Sequence, residues 1–318
     1  MASGRWRSCC RRVMSGVATA EMPRAANLPT GLRRVGADER AGALYRGPVK
    51  AVILDWSGTL ADEHVIAPID VLLDVFKRHG VEITMEEARL PLGLRKDEHI
   101  AKILAIPDVQ RRWKEAHDGA ASMACDVQTL YNEFIPKQLE VMRKHTSLIP
   151  GAVDAVDELR DQFKCKIGVT TGLPQALAEV MLHDGSGQGF VPDSNVSADT
   201  IPKGLGCRPA PFMVYENLAQ LGVYPIHSVV KVDDTAVGVA EGVNAGCWSV
   251  GIAGAGSYTN VKTRQHWAVL DRNDKEARLE HARSELVKGG AHYVIDSISL
   301  LPVVVRDINS RLAEGDRP

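Results

Sequence analysis

Val49-Lys50-Ala51-Val52-Ile53-Leu54-Asp55-Trp56-Ser57-Gly58-Thr59 is the stretch from which the rest of the chain can be arranged. Its first six residues are apolar and β-rich apart from Lys50, and too few for a helix. They read as a strand buried on both faces, the kind found in parallel sheets. Asp55 to Thr59 closes the strand with turn chemistry. An acid at that position can attack phosphorus and can also ligate a hard cation. Gly58 permits a tight turn close to a ligand.

Beyond this stretch the hydrophobic period changes. Pro68 opens a helix whose apolar face is Ile69, Leu72, Leu73, Val75 and Phe76, and Gly80 stops it. Helical patterns continue over residues 86–89, 99–104, 110–117 and 127–143, with hardly a strand between them. Residues 62–147 are therefore expected to form a helical cap domain inserted after the first strand. Strand–helix alternation resumes at Pro150-Gly151: helix 152–163, strand 166–169, helix 175–182, helix 212–221, strand 229–232, helix 237–245, and strands 248–250 and 293–295. This pattern predicts an α/β fold with a doubly wound parallel sheet, built from residues 48–61 and 148–318. Connections in such a sheet are right-handed, so active groups gather at the carboxyl ends of the strands. The charge-rich residues 258–287 read as an exposed loop and helix on a solvated surface.

Three further groups fall at strand ends or in the loops after them. Thr170-Thr171-Gly172 offers hydroxyls and backbone N–H groups that suit a phosphate oxygen, though an ordinary turn reads the same way. Arg208-Pro209-Ala210-Pro211 places a guanidinium where it can clamp phosphate and neutralise an anionic nucleophile, with Lys203 as a rival. Lys231-Val232-Asp233-Asp234-Thr235 supplies paired acids, a source of the second carboxylate for magnesium. Neighbouring strand side chains point to opposite sides, so one acid of the pair is expected to reach the metal.

Composition narrows the classes. The 318-residue chain has a formal net charge of -2, which gives no electrostatic reason to expect nucleic acid as a partner. No apolar run approaches the roughly 20 residues of a membrane span. Six scattered cysteines (Cys9, Cys10, Cys125, Cys165, Cys207, Cys247) form no CxxC pair, which points to reduced thiols in an intracellular compartment. Up to Gly36 there are seven arginines and a single acid, Glu21. Such an Arg-rich, acid-poor leader reads as an organelle transit peptide, with a mitochondrion as the destination, or as a disordered basic extension or a start assigned too far upstream. Residues 1–47 are set apart from the fold on that ground, leaving the compartment as mitochondrial or cytoplasmic.

The order of nucleophilic acid, Thr, basic residue and acid resembles the haloacid dehalogenase superfamily. The likeness narrows at two places. Phosphatases of that superfamily carry a general acid two residues after the nucleophile, where this chain has Ser57. Pro91-Leu92-Gly93-Leu94-Arg95-Lys96-Asp97-Glu98-His99 is similar to the cap loop of the phosphonoacetaldehyde hydrolase family, whose lysine forms a Schiff base with the substrate aldehyde. Breaking a P–C bond needs such an electron sink, because a bare carbanion is not a viable leaving group. An unperturbed lysine is neutral in only roughly one molecule in 2,500 at pH 7. Burial under the cap or a nearby charge such as Arg95 is expected to free the amine.

This resemblance spans residues 48–257 and Gly290-Ala291-His292-Tyr293, and includes Glu86-Glu87-Ala88-Arg89 and Glu241-Gly242. It implies Asp55 as nucleophile and Lys96 as imine former. Thr171, Gly172 and Arg208 would bind phosphate, and Asp55, Asp234 and the Ser57 carbonyl would hold Mg2+. It further implies a homodimer through the cap and a small-molecule phosphonate as substrate. His99, three residues after Lys96, shares a helix face with it and is placed to assist proton transfer at the substrate. The chain departs from the family at Ser57 (usually Ala), Asp233 (usually Gly) and Gly238 (usually Asp), and Asp233 is a candidate to compensate for Gly238. Val65, Leu92 and Leu173 replace the usual Cys, Met and Tyr. Two other readings stay open: a phosphatase or phosphotransferase with Lys96 as a substrate clamp, and an inactive ligand-binding homologue.

Overall fold

The expected first strand is β1 (Ala51–Asp55), buried along its whole length. The computed structural model describes residues 44–202 and 204–318; the basic leader and Lys203 lie outside them. β1 sits at the middle of a parallel sheet with β2 (Lys166–Thr171), β3 (Ser194–Ser197), β4 (Val229–Asp233), β5 (Trp248–Ile252) and β6 (Tyr293–Ile295). The strand order is β3-β2-β1-β4-β5-β6. This is the doubly wound arrangement, and its order reverses between β1 and β4, where such sheets open a crevice at the strand ends.

Helices α1 (Ala67–Arg78), α2 (Met85–Arg89), α3 (Lys96–Leu104), α4 (Pro107–Ala116) and α5 (Ala124–Met142) all lie between β1 and β2. Their starts follow local chemistry. Pro68 occupies the first turn of α1, and Thr84 and Glu87 form a reciprocal capping box at α2. The remaining crossovers are α6 (Ala152–Asp161), α7 (Gln175–Ser186), α8 (Phe212–Leu221) and α9 (Ala236–Ala245), followed by α10 (Arg264–Val269), α11 (Arg272–Lys288) and the terminal α12 (Leu301–Glu314). One apolar cluster runs from Val52, Leu54 and Val169 of the sheet into Phe76, Ile100 and Phe134 of the inserted helices. The two connections to those helices are tied together: Ile149 N–H donates to the Leu60 carbonyl at 2.8 Å, and His145 lies 3.3 Å from Asp62.

Two expectations need correction. Residues 258–287 are not simply solvated surface: Thr259 and Val261 are buried, and α11 buries Ala282 and Leu286 with Val239 and Ala253. The side chain of Leu286 lies against Gly251 of β5, which leaves no room for a Cβ there. The polar strand β3 and the helix α12 also extend the fold beyond the elements read from the sequence. Among the described residues no helix is long and apolar enough to cross a membrane, and Cys125, Cys165, Cys207 and Cys247 are free thiols.

Candidate active site

Strand register explains which side chains meet. Asp55 pairs with Thr170 across β1 and β2, and Leu54 pairs with Val232 across β1 and β4. Asp233 therefore follows beside Asp55. Residues two apart share a face, so Lys231 and Asp233 project together on the side that carries Asp55.

Arg208 enters this group from the loop before α8. Its Nη2 donates to Asp55 Oδ1 and to Thr170 Oγ1, each at 2.7 Å, and its Nε donates to Glu241 Oε2 at 3.0 Å. Lys231 Nζ donates to Thr170 Oγ1 at 2.9 Å and to Asp233 Oδ2 at 2.8 Å. Asp234, on the opposite parity, is held by Ser257, whose N–H and O–H donate to Oδ2 at 2.8 Å and 2.5 Å. Asp55, Asp233 and Asp234 bring carboxylate oxygens within 4.8 Å of one another.

Crowding acids out of water shifts their protonation. Burial, then the charge of Asp233, raises Asp55 to about 6 against the pull of Arg208 and Lys231. Burial, then Asp55 and Asp233, pushes Asp234 well above the ordinary carboxylate range. Oxygen donors in a site that strains to hold its negative charge suit a hard cation.

The inserted helices close over these residues. Asp55, Ser57, Lys96, Thr171, Gly172, Arg208 and Asp234 line one cavity, so the predicted phosphate-binding and metal residues and the predicted imine former share a space. Val65, Leu92 and Leu173 form part of its apolar wall. The closure is tight: a Cβ on Gly172 would lie 2.9 Å from the Leu94 carbonyl oxygen and 3.3 Å from that of Gly93. Lys96 is the first residue of α3 and is 5% exposed. Burial lowers its amine to about 8, opposed by Asp55 and assisted by Arg208. The positive end of the α3 dipole acts in the same direction. Arg95, expected to contribute, is instead turned toward Asp97 with two 2.7 Å hydrogen bonds.

His99 lies behind Lys96, outside the cavity lining. Its Nδ1 is 3.2 Å from Lys96 Nζ and its Nε2 is 2.8 Å from the Ala88 carbonyl. A carbonyl only accepts, so the ring proton belongs on Nε2 and Nδ1 faces the amine as an acceptor. Burial, then the charge of Lys96, keeps the ring neutral by holding its pKa well below the usual value.

The sequence suggested no role for Lys231 or Ser257, offered Thr170 within a phosphate-binding turn although its hydroxyl is taken up by Arg208 and Lys231, and did not indicate the part played by Arg89. The buried Arg89 of α2 donates to the carbonyls of His64 (3.0 Å), Ser257 (2.9 Å) and Val261 (3.0 Å). It thereby clasps the loop that presents Ser257 to Asp234. It also fixes a linker in which His64 and Val65 adopt left-handed φ values of 68° and 52°. A β-branched residue such as Val65 holds that conformation only when its surroundings over-determine it.

The haloacid dehalogenase-like hydrolase family model matches residues 49–246. The chain is 40% identical over 270 residues to the phosphonoacetaldehyde hydrolase of Paraburkholderia phytofirmans, covering 85% of this chain and 99% of that protein. It is likewise 40% identical over 271 residues to the phosphonoacetaldehyde hydrolase of Salmonella typhimurium, covering 85% and 99%. The crystal structure of a phosphonoacetaldehyde hydrolase-like protein from Oleispira antarctica is similar at a TM-score of 0.83 and 36% identity, covering 86% of this chain and 98% of that one.

Proposed function

This hydrolase belongs to the haloacid dehalogenase-like family, and within it to the phosphonoacetaldehyde hydrolases; from that premise we propose that it cleaves the P–C bond of phosphonoacetaldehyde to acetaldehyde and phosphate. The observation that carries the reading is Lys96: a buried amine lowered to about 8, facing the same cavity as Asp55 and Arg208. A surface lysine has no reason to occupy that place.

In this reading Arg208, Thr171 and Gly172 receive the phosphonate group. Lys96, lowered to about 8, gives its proton up to solvent, and the neutral amine donates an N–H to His99 Nδ1, which leaves its lone pair free for the substrate. The neutral amine adds to the aldehyde, and with uptake of one proton from solvent the carbinolamine expels water, leaving a protonated imine. As Asp55 attacks phosphorus, the P–C electron pair moves into the imine and gives an enamine, so no free carbanion forms. Protonation of the enamine carbon and hydrolysis of the C=N bond release acetaldehyde and regenerate Lys96. Water then cleaves the aspartyl-phosphate, returning Asp55 and releasing phosphate. Ser57, a poor acid, is no handicap here, because no alkoxide leaves.

The donor set fits Mg2+. Asp55, Asp233 and Glu241 pair with two fixed cations, Arg208 and Lys231, and the buried Asp234 beside them pairs with neither, so a divalent ion would balance the four carboxylates. Asp55, Asp234 and the Ser57 carbonyl would hold it. When bound it would supply charge neutralisation at the phosphoryl oxygens and lessen the repulsion between them and Asp55. We further propose residues 62–147 as the cap and a homodimer through it, which sedimentation would test.

Borohydride trapping tests the mechanism. Incubation with phosphonoacetaldehyde and reduction should add a two-carbon adduct to Lys96, read by peptide mass. Normal phosphate release without that adduct would overturn the imine and favour Lys96 as a clamp.

A further inference from the structure

Asp233 and Gly238 form a matched pair. A Cβ built on Gly238 would overlap the Asp233 carboxylate outright, so any side chain at 238 and the present position of Asp233 exclude each other. What Asp233 does in that space follows from its partners. Oδ1 accepts from the N–H (3.0 Å) and hydroxyl (2.7 Å) of Thr235. Oδ2 accepts from Lys231 Nζ at 2.8 Å and lies 3.4 Å from Arg208 Nη1.

Three hydrogen bonds and the Arg208 ion pair therefore already engage both oxygens from within the chain. Asp233 is fully buried and does not line the cavity, whereas Asp55 and Asp234 do. The three acids are close enough to share an ion. Proximity alone does not decide the matter, because Asp233 is held by hydrogen bonds from Thr235 and Lys231 and by the charge of Arg208. Thr235 in turn accepts from the Gly238 N–H at 3.1 Å at the start of α9. The missing side chain at 238 gives Asp233 its space, and the backbone N–H of that residue steadies the Thr235 hydroxyl that anchors it.

We infer that Asp233 is a positioning residue which sets Arg208 and Lys231 from beneath the cavity, leaves metal binding to Asp55 and Asp234, and requires glycine at 238. This rests on the reading of Arg208 as a phosphate-binding group.

Three measurements on the full chain test it. Cysteine in place of a metal-binding aspartate recruits Cd2+ and gives a sulfur-to-cadmium ultraviolet band. With wild type subtracted, Asp234→Cys should show that band and Asp233→Cys should not; equal bands overturn the inference. Phosphate titration at saturating Mg2+ separates position from charge. Loss of a negative charge would by itself tighten anion binding, whereas loss of the clamp on Arg208 should loosen it in Asp233→Asn by about tenfold. Unchanged or tighter binding overturns the inference. Finally, Gly238→Ala should lower the Tm when Asp233 is present and have no such effect in an Asp233→Gly background. An equal effect in both backgrounds overturns it. A wild-type protein that binds no phosphate would sink the reading of Arg208, and the cadmium and Tm measurements would still decide the roles of Asp233 and Gly238.

Discussion

Lys96 Nζ and His99 Nδ1 lie 3.2 Å apart on the first turn of α3, both out of water, with the ring proton held on the far nitrogen by the Ala88 carbonyl. An amine so placed has a proton acceptor beside it and little solvent to stabilise its charge. Lys96→Arg keeps a cation and cannot form the imine. Phosphate release from phosphonoacetaldehyde should fall on the order of 10³-fold or more, about 4 kcal/mol of barrier. Turnover within tenfold of wild type would refute the covalent role.

The pH dependence follows from the same amine. With its pKa at about 8, Lys96 is neutral in roughly one molecule in ten at pH 7. The neutral form is the nucleophile, so kcat/KM should rise with pH through about 8 and then level off. A limb rising instead near 10 would place Lys96 in bulk solvent.

Magnesium should stabilise as well as activate. At a hundred times its Kd, a ligand specific for the folded state adds about 2.7 kcal/mol. Thermal unfolding should shift upward accordingly, and Asp234→Asn should erase most of the shift. Chelation should abolish phosphate release in wild type.

Arg89→Met leaves the carbonyls of His64, Ser257 and Val261 without their shared donor. Urea unfolding should report a loss of about 3 kcal/mol or more. Freed from Arg89, Ser257 should also hold Asp234 less firmly, so the variant should bind Mg2+ more weakly.

Gly172→Ala forces a Cβ against the Leu94 carbonyl, and backbone cannot retreat cheaply. The loop carrying Leu92 to Leu94 should lift from the sheet. KM should rise about tenfold with a stability loss of about 1–3 kcal/mol, and an unchanged KM would show that the contact has no part in binding.

Much of this was legible in the sequence, for identifiable reasons. β1 is a continuous apolar run with an acid at its end, and α8 and β6 have the bounds their patterns indicate. β3 was not legible because three of its four residues are polar, and it pairs only with β2 at the edge. α12 carried a readable signal in Leu301, Val304, Val305, Ile308 and Leu312 at helical spacing, all buried in the structure. Lys231 offered another: a charge between Val230 and Val232 in a buried strand must find a partner. Ser257 and Arg89 gave no such sign. Their roles depend on a loop and a helix that are distant in sequence and meet only in the folded chain.

The overlap between Asp233 and a side chain at 238 makes the two positions one unit of substitution. Position 238 cannot gain a side chain while Asp233 keeps its present place, and Asp233 cannot take that place while 238 carries one. A library that varies either position alone samples only some of the workable combinations, whereas one that varies both together can exchange an acid at 233 for a side chain at 238.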